Sequence, residues 1–317
     1  MAACPESLSS GRRRVDPELR VRLRQVFTAV WQTSSYPGSR KDGTVSADGG
    51  SIVSETTPTV EQVRSADGTP IAFERSGAGP AIVLVGGAFS DRGATRELAA
   101  ALAPDFTAFG YDRRGRGFSG DTAPYEIGRE IDDLAALIAA AGGSAAVYGI
   151  SSGAVLSALA TAQGLPVTRL ALFEPPFQVG PHVGVWRDLT ARLIELIAAD
   201  DRDGAVQLFL SDSVGLPAEE ITRMRSQQMW GGLTAIAHTL VYDSIVTAGG
   251  RLPADRLAAI TVPTLAVHST GSPQWLRDAS GAAAEAVPGG RSISLDGGYH
   301  DVPPATLAPA LREFLLG

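Results

Sequence analysis

From Thr59 onward the chain alternates short apolar runs with longer amphipathic ones. TVEQVRSADGTPIAFERSG, residues 59–77, carries two alternating stretches around Asp67-Gly68, which predicts a β-hairpin. AIVLVGG, 81–87, is continuously apolar and ends in glycines, as a strand buried on both faces does. RGATRELAAALAP, 92–104, has helical spacing and stops at Pro104. FTAFGYD, 106–112, predicts a strand, and EIGREIDDLAALIAAAGG, 126–143, an amphipathic helix ended by Gly142-Gly143. SAAVYGI, 144–150, is a further strand, SGAVLSALATAQG, 152–164, a helix, and RLALFEPP, 169–176, a strand stopped by two prolines. Strands that alternate with helices in this way predict a mostly parallel sheet with helices on both faces, an α/β fold.

The alternation breaks near residue 178. Up to about 256 the periodicity is helical, in LTARLIELIAA, GAVQLFLSD, EEITRMRSQQMW and TAIAHTLVYDSIV. It resumes with the strand VPTLAVHS, 262–269, a helix through ASGAAAEAV, the strand RSISLDGG, 291–298, and a last helix from about Ala305. The expected division is therefore a core of residues 58–177 and 257–317, with 178–256 inserted after the sixth strand as a helical cap. Residues 1–57 are expected to be an N-terminal extension, disordered or partly helical: Asp16 and Pro17 suit the start of a helix, and 33–57, rich in Ser, Gly, Thr and Asp, reads as linker or disordered tail.

Composition narrows the function. A chain of 317 residues with 44% apolar content buries a sizeable core. A formal charge of −7 argues against nucleic acid as a partner. Cys4 is the one cysteine, and His182, His238, His268 and His300 show no metal-ligand spacing, so no disulfide and no metal site is expected. No apolar run reaches membrane-spanning length. The basic stretch GRRR, 11–14, is not followed by the compact apolar segment of a secretory signal. The expected setting is the cytoplasm, with a small molecule as substrate and no membrane partner.

The chemistry gathers at Gly149-Ile150-Ser151-Ser152-Gly153, a G-x-S-x-G set between a buried strand and a helix. Small residues there let the chain turn sharply and hold Ser151 above the carboxyl edge of the sheet, where open α/β sheets place ligands. Four segments in order, VLVGGA, YDRRGRGFSG, GISSG and GGYHDV, together resemble the α/β-hydrolase superfamily, from about residue 59 to the end.

That resemblance implies a cofactor-independent hydrolase with Ser151 as nucleophile and His300, in the loop after the last strand, as its base. The acid departs from the commonest pattern. Where many members carry an aspartate after the seventh strand this chain has HSTGSPQW, with Ser272 at the expected position. Glu174, ending the sixth strand, is the leading candidate for the acid, against a purely structural carboxylate at the cap junction; Asp278, Asp296 and Asp301 are weaker ones. The backbone N–H groups of Ser152 and Ala88 are the expected oxyanion hole, Gly87 and Phe89 flanking the latter. Gly86-Gly87 stands where His-Gly is usual, and Ile150 where His is frequent.

Asp112, Arg113, Arg114, Gly115 and Ser119 read as turn-shaping residues, the arginine pair doubling as a weak anion-site candidate. Phe209, Met224, Met229 and Trp230 are candidates for an apolar pocket or for plain cap core, and His182 and His238 for structural positions. The expected activity is that of a carboxylesterase-like serine hydrolase on a small or medium apolar substrate. The alternative is a non-hydrolytic member of the fold, a small-molecule binder or cyclase with an incomplete triad.

Overall fold

The structure, a computed structural model, describes residues 59–182, 186 and 188–317; the expected N-terminal helix and linker lie outside the described residues. Eight strands form one sheet: β1 (Glu61–Arg64), β2 (Pro70–Ser76), β3 (Ala81–Val85), β4 (Thr107–Tyr111), β5 (Ala145–Ile150), β6 (Val167–Phe173), β7 (Thr264–Ser269) and β8 (Arg291–Leu295). Their spatial order is β1-β2-β4-β3-β5-β6-β7-β8. β2 runs antiparallel to both β1 and β4, and every other pair is parallel.

The continuous apolar runs are explained by two-sided burial. Ile82 and Leu84 of β3 point into one core, with Leu102 of α1 (Arg96–Leu102) and Leu311 of α11 (Pro304–Leu316). Val83 and Val85 point into the other, with Leu134 of α2 (Ile127–Ala140) and Leu156 of α3 (Ser152–Ala162). Residue by residue the strand alternates between the two faces, and both are covered by helices.

β6 and β8 stop well before the ends of the runs that predict them. β6 ends at Phe173 because Glu174 takes a positive φ of 45° and Pro175 and Pro176 have no N–H to pair. β8 ends at Leu295, since Asp296, Gly297 and Gly298 turn toward the loop that carries His300.

Between β6 and β7 lie α4 (Leu189–Ala198), α5 (Arg202–Leu208), one π-helical turn over Phe209–Ser213, α6 (Ala218–Arg225), α7 (Met229–Ala235), α8 (Thr239–Val246) and α9 (Ala254–Leu257). Leu193, Val206, Leu210, Leu233 and Leu240 from these helices share a cluster with Phe89 and Tyr299. Those two aromatics belong to loops at the carboxyl edge of the sheet, so the helices sit over that edge. α10 (Gln274–Glu285) packs beside β7 and β8. No helix among the described residues is long and apolar enough to cross a membrane.

Register brings the loop origins together. Val85 lies opposite Gly149, Ile150 opposite Phe173, Phe173 opposite Val267, and Ser269 opposite Leu295. The segments after β3, β5, β6, β7 and β8 therefore leave the sheet side by side.

The glycines of G-x-S-x-G act by close approach. A Cβ on Gly153 would collide with the carbonyl oxygens of Val85 and Gly86, and one on Gly149 with Gly153 O and Ser157 Oγ. Gly153→Ala must push α3 away from β3. We expect a cost of about 1–3 kcal/mol and a Tm lowered by roughly 3–10 °C, measured by thermal unfolding. An unchanged Tm would mean that α3 does not need this contact.

Candidate active site

Ser151 stands between β5 and α3, with φ 57° and ψ −126°, outside the regions an L-residue prefers. Its surroundings impose this geometry: Ser151 N–H donates to Phe173 O at 2.9 Å, and Ser151 O accepts from Ala154 N–H at 3.0 Å. A serine at a helix start usually spends its hydroxyl on the cap. Here the Ser151 side chain makes no cap bond, and the residue lines a cavity of about 260 Å³ shared with His300, Ala88 and Ser152.

The two serines of the motif are not equivalent. Ser152 Oγ donates to Asp243 Oδ1 at 2.7 Å and accepts from Arg113 Nη1 at 3.1 Å. Its side chain is held on the α8 side, and its N–H, in the first turn of α3, is among those a helix leaves unpaired.

His300 sits on the loop after β8. Its ring Nδ1 is 2.6 Å from Glu174 Oε2, and Glu174 is fully buried. The second oxygen, Glu174 Oε1, accepts from Ser269 N–H at 2.8 Å. Both carboxylate oxygens are thus engaged, one by the end of β7 and one by the imidazole, which fixes the plane of the carboxylate. Ser272, at the position where an aspartate was looked for, takes another part: its Oγ accepts the backbone N–H of His300 at 2.8 Å. Ser269 Oγ donates to Gly298 O at 2.6 Å. The two serines moor the histidine loop to the turn after β7.

The weaker acid candidates lie elsewhere. Asp278, in α10, accepts from Gln274 Nε2, and Asp296 from Thr270 Oγ1. Asp301 lines the cavity beside His300, and its carboxyl is pushed up by burial, with Glu174 and Glu97 adding to the effect and His300 opposing it. Of the acids considered from the sequence, Glu174 is the one hydrogen-bonded to the His300 ring.

Backbone strain marks the same place. Among the described residues six non-glycines have positive φ: Phe89, Ser151, Glu174, Asp200, Ala248 and His300. Four of the six belong to this one cluster. Each such residue costs on the order of 1–3 kcal/mol and persists where the surroundings over-determine it, a condition met most often at functional sites.

The loop after β3 faces Ser151 closely, since a Cβ on Gly87 would lie 3.0 Å from Ser151 Cβ. Among the described residues the backbone N–H of Ala88 has no backbone acceptor. It is left available at the cavity wall.

Arg113 and Arg114 are not an anion site. Arg113 is paired with Glu130 at 2.7 Å and Asp243 at 2.8 Å, and Arg114 with Asp133 at 2.7 Å and Asp67 at 3.0 Å. Asp112 and Ser119 do shape the turn: Asp112 accepts Phe118 N–H and Arg92 N–H, and Ser119 Oγ donates to Asp112 O. Of the four apolar cap candidates, Phe209 lines the cavity and stacks edge-on against Phe89 at 5.5 Å. Met224, Met229 and Trp230 pack within the helical cluster, Trp230 Nε1 donating to Asp203 Oδ1. Trp186 and Trp275 both line the cavity and meet edge-on at 6.0 Å. His238 pairs with Asp121 at 3.5 Å, away from the cavity lining. Among the described residues no group of three His, Cys, Asp or Glu side chains converges as a metal ion requires.

Sequence reasoning missed Asp243 and Arg116. Both are buried, and Arg116 Nη2 binds both Asp243 oxygens at 2.9 and 2.8 Å. No local pattern announces a pairing that spans so much of the chain.

A family model described as alpha/beta hydrolase family matches residues 82–310. The chain belongs to the alpha/beta hydrolase family. An alpha/beta hydrolase from Sphaerobacter thermophilus DSM 20745 is 50% identical, with a TM-score of 0.76 over 80% of this chain and 100% of that one. A hydrolase from Pseudomonas aeruginosa PA01 is 21% identical at a TM-score of 0.63, over 81% of this chain and 98% of that one. An esterase from Rhodococcus sp. ECU1013 is 20% identical at 0.61, again over 81% and 98%. The last two, so distant in sequence, share the fold alone. No match to the chain is found among curated proteins. As an α/β hydrolase the protein takes its fold class and general reaction type from its family; the bond it cleaves has to be argued from the site.

Proposed function

We propose that this α/β hydrolase is a serine esterase that cleaves esters of small, uncharged acyl groups through an acyl-enzyme. The observation that carries the reading is the 2.6 Å contact between Glu174 Oε2 and His300 Nδ1, with Glu174 Oε1 anchored on Ser269 N–H. A buried carboxylate on Nδ1 holds the proton there and leaves Nε2 as the basic nitrogen. Nε2 then takes the Ser151 proton as Oγ attacks the carbonyl carbon. The negative charge that develops on the carbonyl oxygen is met by the N–H groups of Ala88 and Ser152. As the C–O bond to the leaving group breaks, His300 returns the proton to the departing alcohol. Water, deprotonated by the same histidine, releases the acid and restores Ser151.

The cavity supports the substrate class. Its volume of about 260 Å³ and its Ala88, Phe89, Phe209, Leu276 and Trp275 walls suit a short apolar acyl chain better than a polymer or a charged group. In this reading residues 58–177 and 257–317 supply the catalytic core and 178–256 the lid.

The test is reaction with a fluorophosphonate, followed by digestion and fragmentation of the modified peptide. The adduct is expected on Ser151, with rapid turnover of p-nitrophenyl acetate and butyrate and slow turnover of the palmitate. An adduct on Ser152 would move the nucleophile to that residue, and none on folded protein would point instead to a binding role for the cavity.

A further inference from the structure

Asp243 lies on α8, in the helical segment between β6 and β7, and is 1% exposed. It holds groups that belong to the sheet's edge. Oδ1 accepts Ser152 Oγ–H at 2.7 Å and Arg113 Nη1 at 2.8 Å, and both oxygens accept from Arg116 Nη2. Both guanidinium groups also reach the loop after β3, Arg116 through its other nitrogen and Arg113 through the same Nη1. Arg116 Nη1 donates to Gly87 O at 2.5 Å, and Arg113 Nη1 is 3.3 Å from Gly86 O. Glu130, from α2, anchors Arg113 from behind at 2.7 and 3.0 Å.

Gly87 O and Ala88 N–H are the two ends of one peptide group. A guanidinium bound to that carbonyl fixes the peptide plane and polarises its N–H, because charge-assisted hydrogen bonds are strong and linked bonds reinforce each other. Ser152, whose hydroxyl is bound to Asp243, supplies the other proposed donor. One carboxylate is therefore connected to both halves of the oxyanion hole.

We infer that Asp243 is a positioning residue for the oxyanion hole, a carboxylate sent down from the helical cap to aim the Ala88 N–H through Arg116 and the Ser152 N–H through its own side chain. The inference rests on the esterase reading above. Its charge is secure: burial works against the carboxylate, but Arg116 and Arg113 outweigh it and hold Asp243 below the usual carboxylate range. The arrangement also ties the lid to the reacting centre. A displacement of α8 would move both donors, because Asp243 holds Ser152 Oγ directly and Gly87 O through Arg116.

The experiment compares Asp243→Asn, Ser152→Ala and wild type in steady-state hydrolysis of p-nitrophenyl butyrate and in inhibition by a short alkylboronic acid, which becomes tetrahedral on Ser151. Losing a donor from such a hole lowers kcat by roughly 10²–10³. A donor that is merely misaimed loses less: Asp243→Asn should lower kcat by about 30- to 100-fold and Ser152→Ala by about 3- to 10-fold. KM should stay within about twofold, and the boronate should weaken by the same factor as kcat/KM. A residue that only holds the fold would lower Tm and the amount of active enzyme without that parallel. Should Asp243→Asn not fold, Ser152→Ala and Arg116→Gln carry the same test. A wild type that hydrolyses the ester while the folded variants keep its kcat overturns this inference alone. A wild type that neither hydrolyses esters nor takes the fluorophosphonate overturns the esterase reading with it.

Discussion

Ser151→Ala is expected to lower kcat by about 10⁶-fold, close to the full contribution of a nucleophile acting with its base, while the protein keeps its fold. The second part follows from the structure. Ser151 is held by backbone bonds, from its N–H to Phe173 O and from its carbonyl to Ala154 N–H, and its side chain does not cap α3. Removing Oγ therefore breaks no helix cap and leaves the strained φ of 57° where it was. Tm should stay within a few degrees. The neighbouring substitution behaves in the opposite sense: Ser152→Ala frees Asp243 from one bond and leaves Oγ of Ser151 untouched, so labelling persists. Steady-state hydrolysis of p-nitrophenyl butyrate with both variants checks the pair. Residual turnover by Ser151→Ala above about 1% of wild type would require another nucleophile, and the assignment of roles within Ser151-Ser152 would fall.

The sheet was legible because its signals are local. AIVLV, AAVYGI and RLALF are apolar on both faces and short, and each is followed by a helix with its own period, so the order of layers follows from the chain itself. Ser151 and Glu174 were legible for a related reason: both are the residues at which a strand stops, and strand ends gather at one edge. Why Glu174 reaches the histidine is not local. It depends on its positive φ and on Ser269 N–H, contributed from 95 residues away. Asp243 had no signal, since YDSIV reads as one more helical turn with a polar residue. Its partners left a trace that was passed over. Glu130 and Asp133 fall on the buried side of α2, together with Ile131, Leu134 and Leu137. A buried carboxylate on an apolar face needs a cationic partner, and the run DRRGR held three. The arginines thus had partners waiting, which explains why they neither face solvent nor bind an anion.

Glu174→Gln is expected to reduce kcat by roughly 10⁴-fold, with KM and Tm little changed. Glutamine has almost the shape of glutamate, but its two ends differ. Ser269 N–H is a donor and sits 2.8 Å from Oε1, so the amide oxygen must stay there. That leaves the amide NH₂ facing His300 Nδ1 across the 2.6 Å contact. Two donors cannot face each other, and the imidazole responds by carrying its proton on Nε2, the nitrogen that must accept from Ser151. The enzyme is folded and its residues are in place, yet the base is protonated on the wrong side. Nitrogen NMR of the histidines, read together with the kinetics, separates this from a loss of structure: the variant should show the His300 tautomer reversed and its signal otherwise sharp. If Glu174 were only a structural carboxylate at the foot of the helical segment, the result would be different in kind, a lower Tm with kcat within about tenfold of wild type. A kcat that survives the substitution would remove Glu174 from the site and leave His300 without a buried acid.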